Sequence, residues 1–168
     1  MTAHREPVSP NFTLDEFLPH GWDGSVPPEV LGNIIVLTDE LLEPARAYIG
    51  RPVYLSSGYR PPEKNAEVGG VKESDHTKGR AADIWASQAG PETWQEATIR
   101  LFHWMRTHLA GKYGQLILED HRIAKGRPTA IWIHVAIRSP KHTGKDDPNA
   151  VLVSLAPGKY RPYKEPTA

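Results

Sequence analysis

Cysteine is absent from the chain. That excludes a disulfide scaffold, a thiolate nucleophile and any cysteine-ligated zinc or iron–sulfur site. A bound metal would have to be held by His, Asp or Glu. No apolar run approaches the roughly 18 residues that suggest a membrane-spanning helix. The first 15 residues, MTAHREPVSPNFTLD, hold no apolar segment of the secretory type. An excess of either charge is also missing, since 20 Lys and Arg face 20 Asp and Glu. Such a balance argues against a nucleic-acid binder and against a polybasic membrane binder. Internal repeats and low-complexity segments are lacking too. The length, 168 residues, suits one domain. A chain of that size buries roughly two-thirds of its unfolded surface, so it needs no metal merely to fold.

What is present reads as helices first and a small sheet afterwards. Residues 1–10 are polar, carry two prolines and read as a loose arm. Thr13-Leu14-Asp15-Glu16 fits a capping box and predicts a short helix stopped by Pro19. Apolar residues from Val30 to Ile49 recur at spacings of three and four, which predicts a long helix, kinked or broken at Pro44 and ended by Gly50. Val53–Ser57 reads as a strand. Residues 58–79, rich in Gly, Pro, Ser, Asn and charge, read as a long functional loop. A second strand follows at Ala81–Ala86. Gly90-Pro91-Glu92 opens a second long helix that Gly111 stops. Gln115–Glu119 and Ala130–Ile137 predict an antiparallel hairpin, with turn signals at Lys125-Gly126 and Arg127-Pro128. Residues 138–168 hold five prolines and one strand candidate, Val151–Leu155. They read as a tail packed on the domain of residues 11–137. The fold class expected is α+β, a small mostly antiparallel sheet flanked by two long helices.

The chemistry concentrates in Ser74-Asp75-His76-Thr77-Lys78-Gly79-Arg80-Ala81-Ala82-Asp83. Gly79 lets the chain fold back tightly, and Ala81 and Ala82 keep bulk away, so His76 and Asp83 can reach one point. His134 lies mid-strand, and the period-2 alternation puts it on one face with Trp132 and Ala136. Two His and one Asp, with water in the fourth position, make a catalytic zinc set. Taken singly, His134 reads equally as a hydrogen-bonded core histidine and Asp83 as a turn residue, and spacing does not choose between these readings.

At these residues the chain resembles the zinc D-Ala-D-Ala peptidases, in the wider group that includes lysostaphin-type enzymes and the zinc domain of hedgehog signalling proteins. The pattern S-x-H-x-x-G-x-A-x-D is matched from Ser74 to Asp83, and W-x-H-V at Trp132 to Val135. The companion S-G-Y-R-x-P with a following Asn is matched by Ser57, Gly58, Tyr59, Arg60, Pro62 and Asn65. The opening NFTLDEFL and the stretch Leu41 to Arg46 resemble compact phage and bacterial members. The resemblance implies one zinc on His76, Asp83 and His134. It also implies hydrolysis of peptide bonds in peptidoglycan stem peptides by a zinc-bound water.

The chain departs from part of that family. Several relatives carry a general-base Glu three residues before the final His, where this chain has Ile131. Glu119, on the strand expected to pair with Ala130–Ile137, is the replacement candidate, with a strand-end surface charge or a partner for Lys125 or Arg127 as the structural alternative. Asp120, one residue on, would point to the opposite face. In the family the arginine of SGYR binds the substrate carboxylate or the oxyanion, which makes Arg60 both a catalytic and a substrate-binding candidate. Ser74 either binds substrate or holds the loop. His121, at the start of the hairpin loop, could touch the site as a proton shuttle, whereas His103 and His108 read as surface residues. A second class of function stays open, a zinc-containing cell-wall-binding or virion structural module without turnover. Without a signal peptide, the expected route to the wall is holin release, delivery by a virion or tail, or lysis.

Overall fold

A computed structural model describes residues 6–122, 130–142 and 150–165. The architecture is mixed, a six-stranded and mostly antiparallel sheet with a few helices. Buried Phe12, just before it, and Phe17, its last residue, anchor a short 3-10 turn, Leu14–Phe17. The backbone N–H of Thr13 donates to the Glu16 carboxylate at 2.8 Å, closing the expected capping box. The first long helix comes in two pieces, α1 (Pro28–Leu37) and α2 (Glu43–Ile49). Between them Thr38–Leu42 is wound as a π segment. Pro44 has no N–H to give to the preceding turn, and the wider winding absorbs that loss without ending the helix. Gly50 closes α2 with φ 69°.

Six strands follow: β1 (Val53–Ser57), β2 (Ala81–Ala86), β3 (Tyr113–Asp120), β4 (Ile131–Ile137), β5 (Val151–Ala156) and β6 (Lys159–Pro162). They lie in the order β1-β2-β4-β3-β5-β6. The expected β3–β4 pairing is antiparallel, and the turn signals at 125–128 fall outside the described residues. The remaining helices are α3 (Pro62–Glu67) and α4 (Trp94–His108). Helices α1, α2 and α4 cover one face of the sheet, where Ile84, Leu116, Ile133 and Val135 are fully buried against Leu37, Leu41, Leu101 and Phe102. None of the helices among the described residues is long and apolar enough to cross a membrane.

Four expectations need correction. The long loop contains α3, started by Pro61 and Pro62, and a 3-10 turn at Asp75–Lys78. Helix α4 starts at Trp94 rather than at Gly90, because Thr93 and Glu96 form a better cap than the Gly-Pro pair. Residues 6–11 are tied down, with Ser9 and Asn11 both donating to the Glu43 carboxylate. The segment after Ile137 adds two strands to the sheet: β5 runs parallel to β3, and β6 pairs antiparallel with β5.

Candidate metal centre

The face of the sheet opposite the helices carries the polar residues. Asp83 on β2 stands directly across from His134 on β4, and His134 from Ile117 on β3. Cross-strand partners share a face, so Asp83 and His134 point the same way. Two residues along, Trp132 pairs with Glu119, which puts the Glu119 carboxylate on that face as well. Asp120 pairs with Ile131 on the alternate register, and its carboxylate is held by Arg122 at 2.7 Å. Ile131 is 3% exposed, packed in the core, and brings no polar atom to the site.

His76 arrives from outside the sheet. It sits in the 3-10 turn Asp75–Lys78, which ends at Gly79 with φ 68°. A Cβ at Gly79 would stand 2.8 Å from both Val30 Cγ1 and the Val30 carbonyl oxygen, so the turn needs glycine for its φ and for the closeness of α1. Gly58 is constrained by closeness alone, since a Cβ there would lie 2.7 Å from the Phe17 backbone. The Gly58 carbonyl accepts from His76 Nδ1 at 2.7 Å. That bond assigns the ring hydrogen to Nδ1 and leaves the lone pair on Nε2 facing the other two residues.

Three donor atoms converge. His76 Nε2 lies 3.2 Å from His134 Nδ1 and 3.4 Å from Asp83 Oδ1. The third side of the triangle, His134 Nδ1 to Asp83 Oδ1, is 2.9 Å. Ligands at about 2.0–2.1 Å around a tetrahedral zinc stand about 3.3 Å from one another. The triangle therefore fits one face of such a tetrahedron, and the Gly58 carbonyl behind His76 is the kind of outer partner that orients a ligating imidazole. Burial, only partly offset by Asp83, pushes the His76 pKa below the ordinary imidazole value and favours the neutral form that ligates. For Asp83 burial acts upward, but the charge and hydrogen bonds of the two histidines outweigh it and hold the carboxyl well below its usual range.

The other site candidates line the same open cleft, of about 870 Å³. Arg60 is brought in by its backbone N–H, which donates to the His76 carbonyl at 3.0 Å, and its guanidinium approaches Asp83 Oδ2 at 3.8 Å. Arg60 Nε is buried without a partner among the described residues. Ser74 works through its carbonyl, which accepts from the Thr77 backbone and hydroxyl and fixes the turn before His76, and it also borders the cleft. Asp75 is engaged by Lys141 at 2.7 Å, and Lys141 also donates to the Glu73 carbonyl. Glu119 is 5% exposed, with Oε2 2.9 Å from His121 Nε2, so it is not a strand-end surface charge. Its alternative partners Lys125 and Arg127 lie outside the described residues. His103 is half-buried and His108 exposed on α4, outside the cleft.

Sequence reasoning missed Tyr160 and Ser154. Tyr160 on β6 borders the cleft, and burial, then the charge of the nearby Glu119 carboxylate, raises its pKa. Both residues reach the site only because β5 adds alongside β3, a non-local parallel pairing with no local signal.

Residues 10–122, more than half of the chain, match the family model described as Peptidase M15. The match takes in Arg60, His76, Asp83 and Glu119, while His134 lies beyond it. No curated protein matches the chain.

Proposed function

The chain belongs to the peptidase M15 family, and on that premise we propose that it is a zinc-dependent peptidase acting on the stem peptides of peptidoglycan. The observation that carries this reading is the triangle of His76 Nε2, Asp83 Oδ1 and His134 Nδ1, with the buried carboxylate of Glu119 on the same sheet face. His76, Asp83 and His134 would hold the metal. A zinc ion there would supply Lewis acidity, polarising the scissile carbonyl and lowering the pKa of a water toward about 7.

The chain's own residues do the rest. Glu119 accepts the proton of the attacking water and returns it to the leaving amine. Its burial strengthens the charge interactions that Glu119 itself makes. Arg60, whose guanidinium approaches Asp83 Oδ2 at 3.8 Å beside the triad, would bind the substrate carboxylate or the developing oxyanion. Ser74 holds the His76 turn through its carbonyl and borders the cleft, where it would contact substrate. The scissile bond, carboxypeptidase or endopeptidase, follows from which ends of the stem peptide this open cleft admits. The substrate would be met outside the producing cytoplasm, after holin release, virion delivery or lysis.

Incubation with purified peptidoglycan, with and without a chelator, followed by mass analysis of the muropeptides, tests the proposal. Chelator-sensitive cleavage that leaves a new free carboxylate on one fragment of the stem peptide and a new free amine on the other is expected. Zinc retention with no cleavage of any stem peptide would instead make the chain a binding or virion structural module of the same fold.

A further inference from the structure

His121 is a buried imidazole that the reading above leaves without a task. It is 3% exposed and stands edge-on to Trp132, ring centroids 4.9 Å apart. Its Nε2 has two close neighbours, Ser154 Oγ at 3.0 Å and Glu119 Oε2 at 2.9 Å. The hydroxyl of Ser154 has one hydrogen, and it goes to the Ala156 carbonyl at 2.8 Å. Ser154 Oγ can therefore only accept from His121, so Nε2 carries the ring hydrogen. That N–H is directed at Ser154 in the structure, and Glu119 Oε2 lies beside its axis. Oε2 is buried with no in-line donor among the described residues. An anionic oxygen in that state is costly, and the His121 N–H stands within hydrogen-bonding distance of it.

The three residues are brought together by the sheet. Glu119 on β3 is paired in register with Ser154 on β5, and His121 follows β3, with its backbone N–H donating to the Ala130 carbonyl at 2.8 Å. A rigid ladder thus sets the back of the Glu119 carboxylate.

We propose that His121 is the positioning residue of Glu119, its Nε2–H shared between Ser154 Oγ and Glu119 Oε2 so that one carboxylate oxygen is anchored and the other is left to take the proton. This rests on Glu119 being the general base. The N–H is turned toward Glu119 by a small ring rotation, and Ser154 keeps Nε2 protonated in either position. In this role His121 acts through Glu119 and not on the reacting atoms.

Steady-state cleavage of a soluble stem peptide by the zinc-loaded protein provides the test, with zinc content and melting temperature measured on every variant. Changing His121 to Phe keeps a ring against Trp132 and removes the donor. It should lower kcat by about ten- to a hundred-fold with KM within about two-fold, the scale of a lost outer partner or a misplaced reacting group. His121→Gln carries an N–H near the Nε2 position and should recover most of that loss. His121→Asn, equally polar but too short, should not, which keeps the comparison decisive should the Phe variant fail to fold. On a Glu119→Gln background His121→Phe should lower kcat no further. In the metal-free protein, imidazole nitrogen NMR should find the His121 hydrogen on Nε2. Wild-type kcat in both His121→Phe and His121→Asn, with Glu119→Gln impaired, overturns the positioning role alone. Equal losses from His121→Phe on both backgrounds, or a hydrogen on Nδ1, also overturn it. A wild-type rate in Glu119→Gln overturns the base assignment and this proposal with it.

Discussion

Asp83 and His134 face each other across the β2–β4 ladder, and their Oδ1 and Nδ1 atoms meet at 2.9 Å. A single register therefore aims two of the three donors, and only His76 has to be delivered by a turn. A one-residue slip of β4 would send His134 into the helix-covered core.

The first expectation concerns metal content. Protein prepared without chelator should carry about one zinc per chain on a three-ligand site. Changing His76 or His134 to Ala should empty it, because a two-ligand remnant cannot compete with water. Elemental analysis that finds no transition metal in the unaltered protein would sink the site.

Metal removal should lower stability without unfolding the chain. The core between the sheet and helices α1, α2 and α4 does not involve the triad. Zinc at a hundred times its dissociation constant would add about 2.7 kcal/mol by mass action. Circular dichroism should show retained secondary structure and a lower melting temperature after chelation. A random-coil spectrum would contradict this.

Glu119→Gln should reduce the hydrolysis rate by about a hundred- to ten-thousand-fold, the usual scale of general-base catalysis, with zinc retained. Asp120→Asn should do far less, because the Asp120 carboxylate is held by Arg122 on the alternate register. Parallel kinetics and metal analysis of the two variants check the contrast.

Gly79→Ala should cost about 1–3 kcal/mol, from a left-handed residue and a Cβ pressed on Val30. The same shift would move His76 relative to Asp83, so zinc affinity should fall along with the denaturation midpoint. Unchanged metal affinity in a destabilised variant would show that the turn does not position His76.

Acid should weaken one tie outside the site. Hydrogen bonds from Arg100, against a smaller effect of burial, and then from Arg51 lower the Glu92 pKa to about 2. A depressed carboxyl stabilises the fold above its unfolded pKa and loses that contribution as pH falls toward the folded value. Glu92→Gln should therefore destabilise by about 1 kcal/mol or less at neutral pH, the scale of screened surface pairs. The difference should shrink between roughly pH 4.5 and 2. Urea titrations of both proteins across that range would show it.

Helix and strand positions followed from local pattern where that pattern has a physical basis. The three-and-four spacing from Val30 to Ile49 marks a helix because only one stripe of it is buried. Alternation around His134 marks a strand half-covered by helices. Likewise Ser74 to Asp83 could be read as a site because glycine and alanines leave room for two polar side chains to meet. The start of α4 was misplaced because the turn signals of Gly90-Pro91 mask the stronger Thr93–Glu96 cap.

What only the tertiary structure decided lies in contacts between distant residues. Residues 138–168 read as a tail with one strand candidate because a parallel strand pairing leaves no turn signature, and the place of β5 beside β3 depends on which sheet edge is free. That edge brings Ser154 and Tyr160 to Glu119. The Glu119–His121 contact has the same origin, since a carboxylate and an imidazole two residues apart in sequence show no direction until the strand, its neighbour and Trp132 set their rotamers. Sequence by itself determined which groups exist and, for Asp83, Glu119 and His134, which strand each sits on. The distances at which those groups act were set by long-range register and packing, because hydrogen-bond geometry is defined to tenths of an ångström and no local propensity reaches that precision.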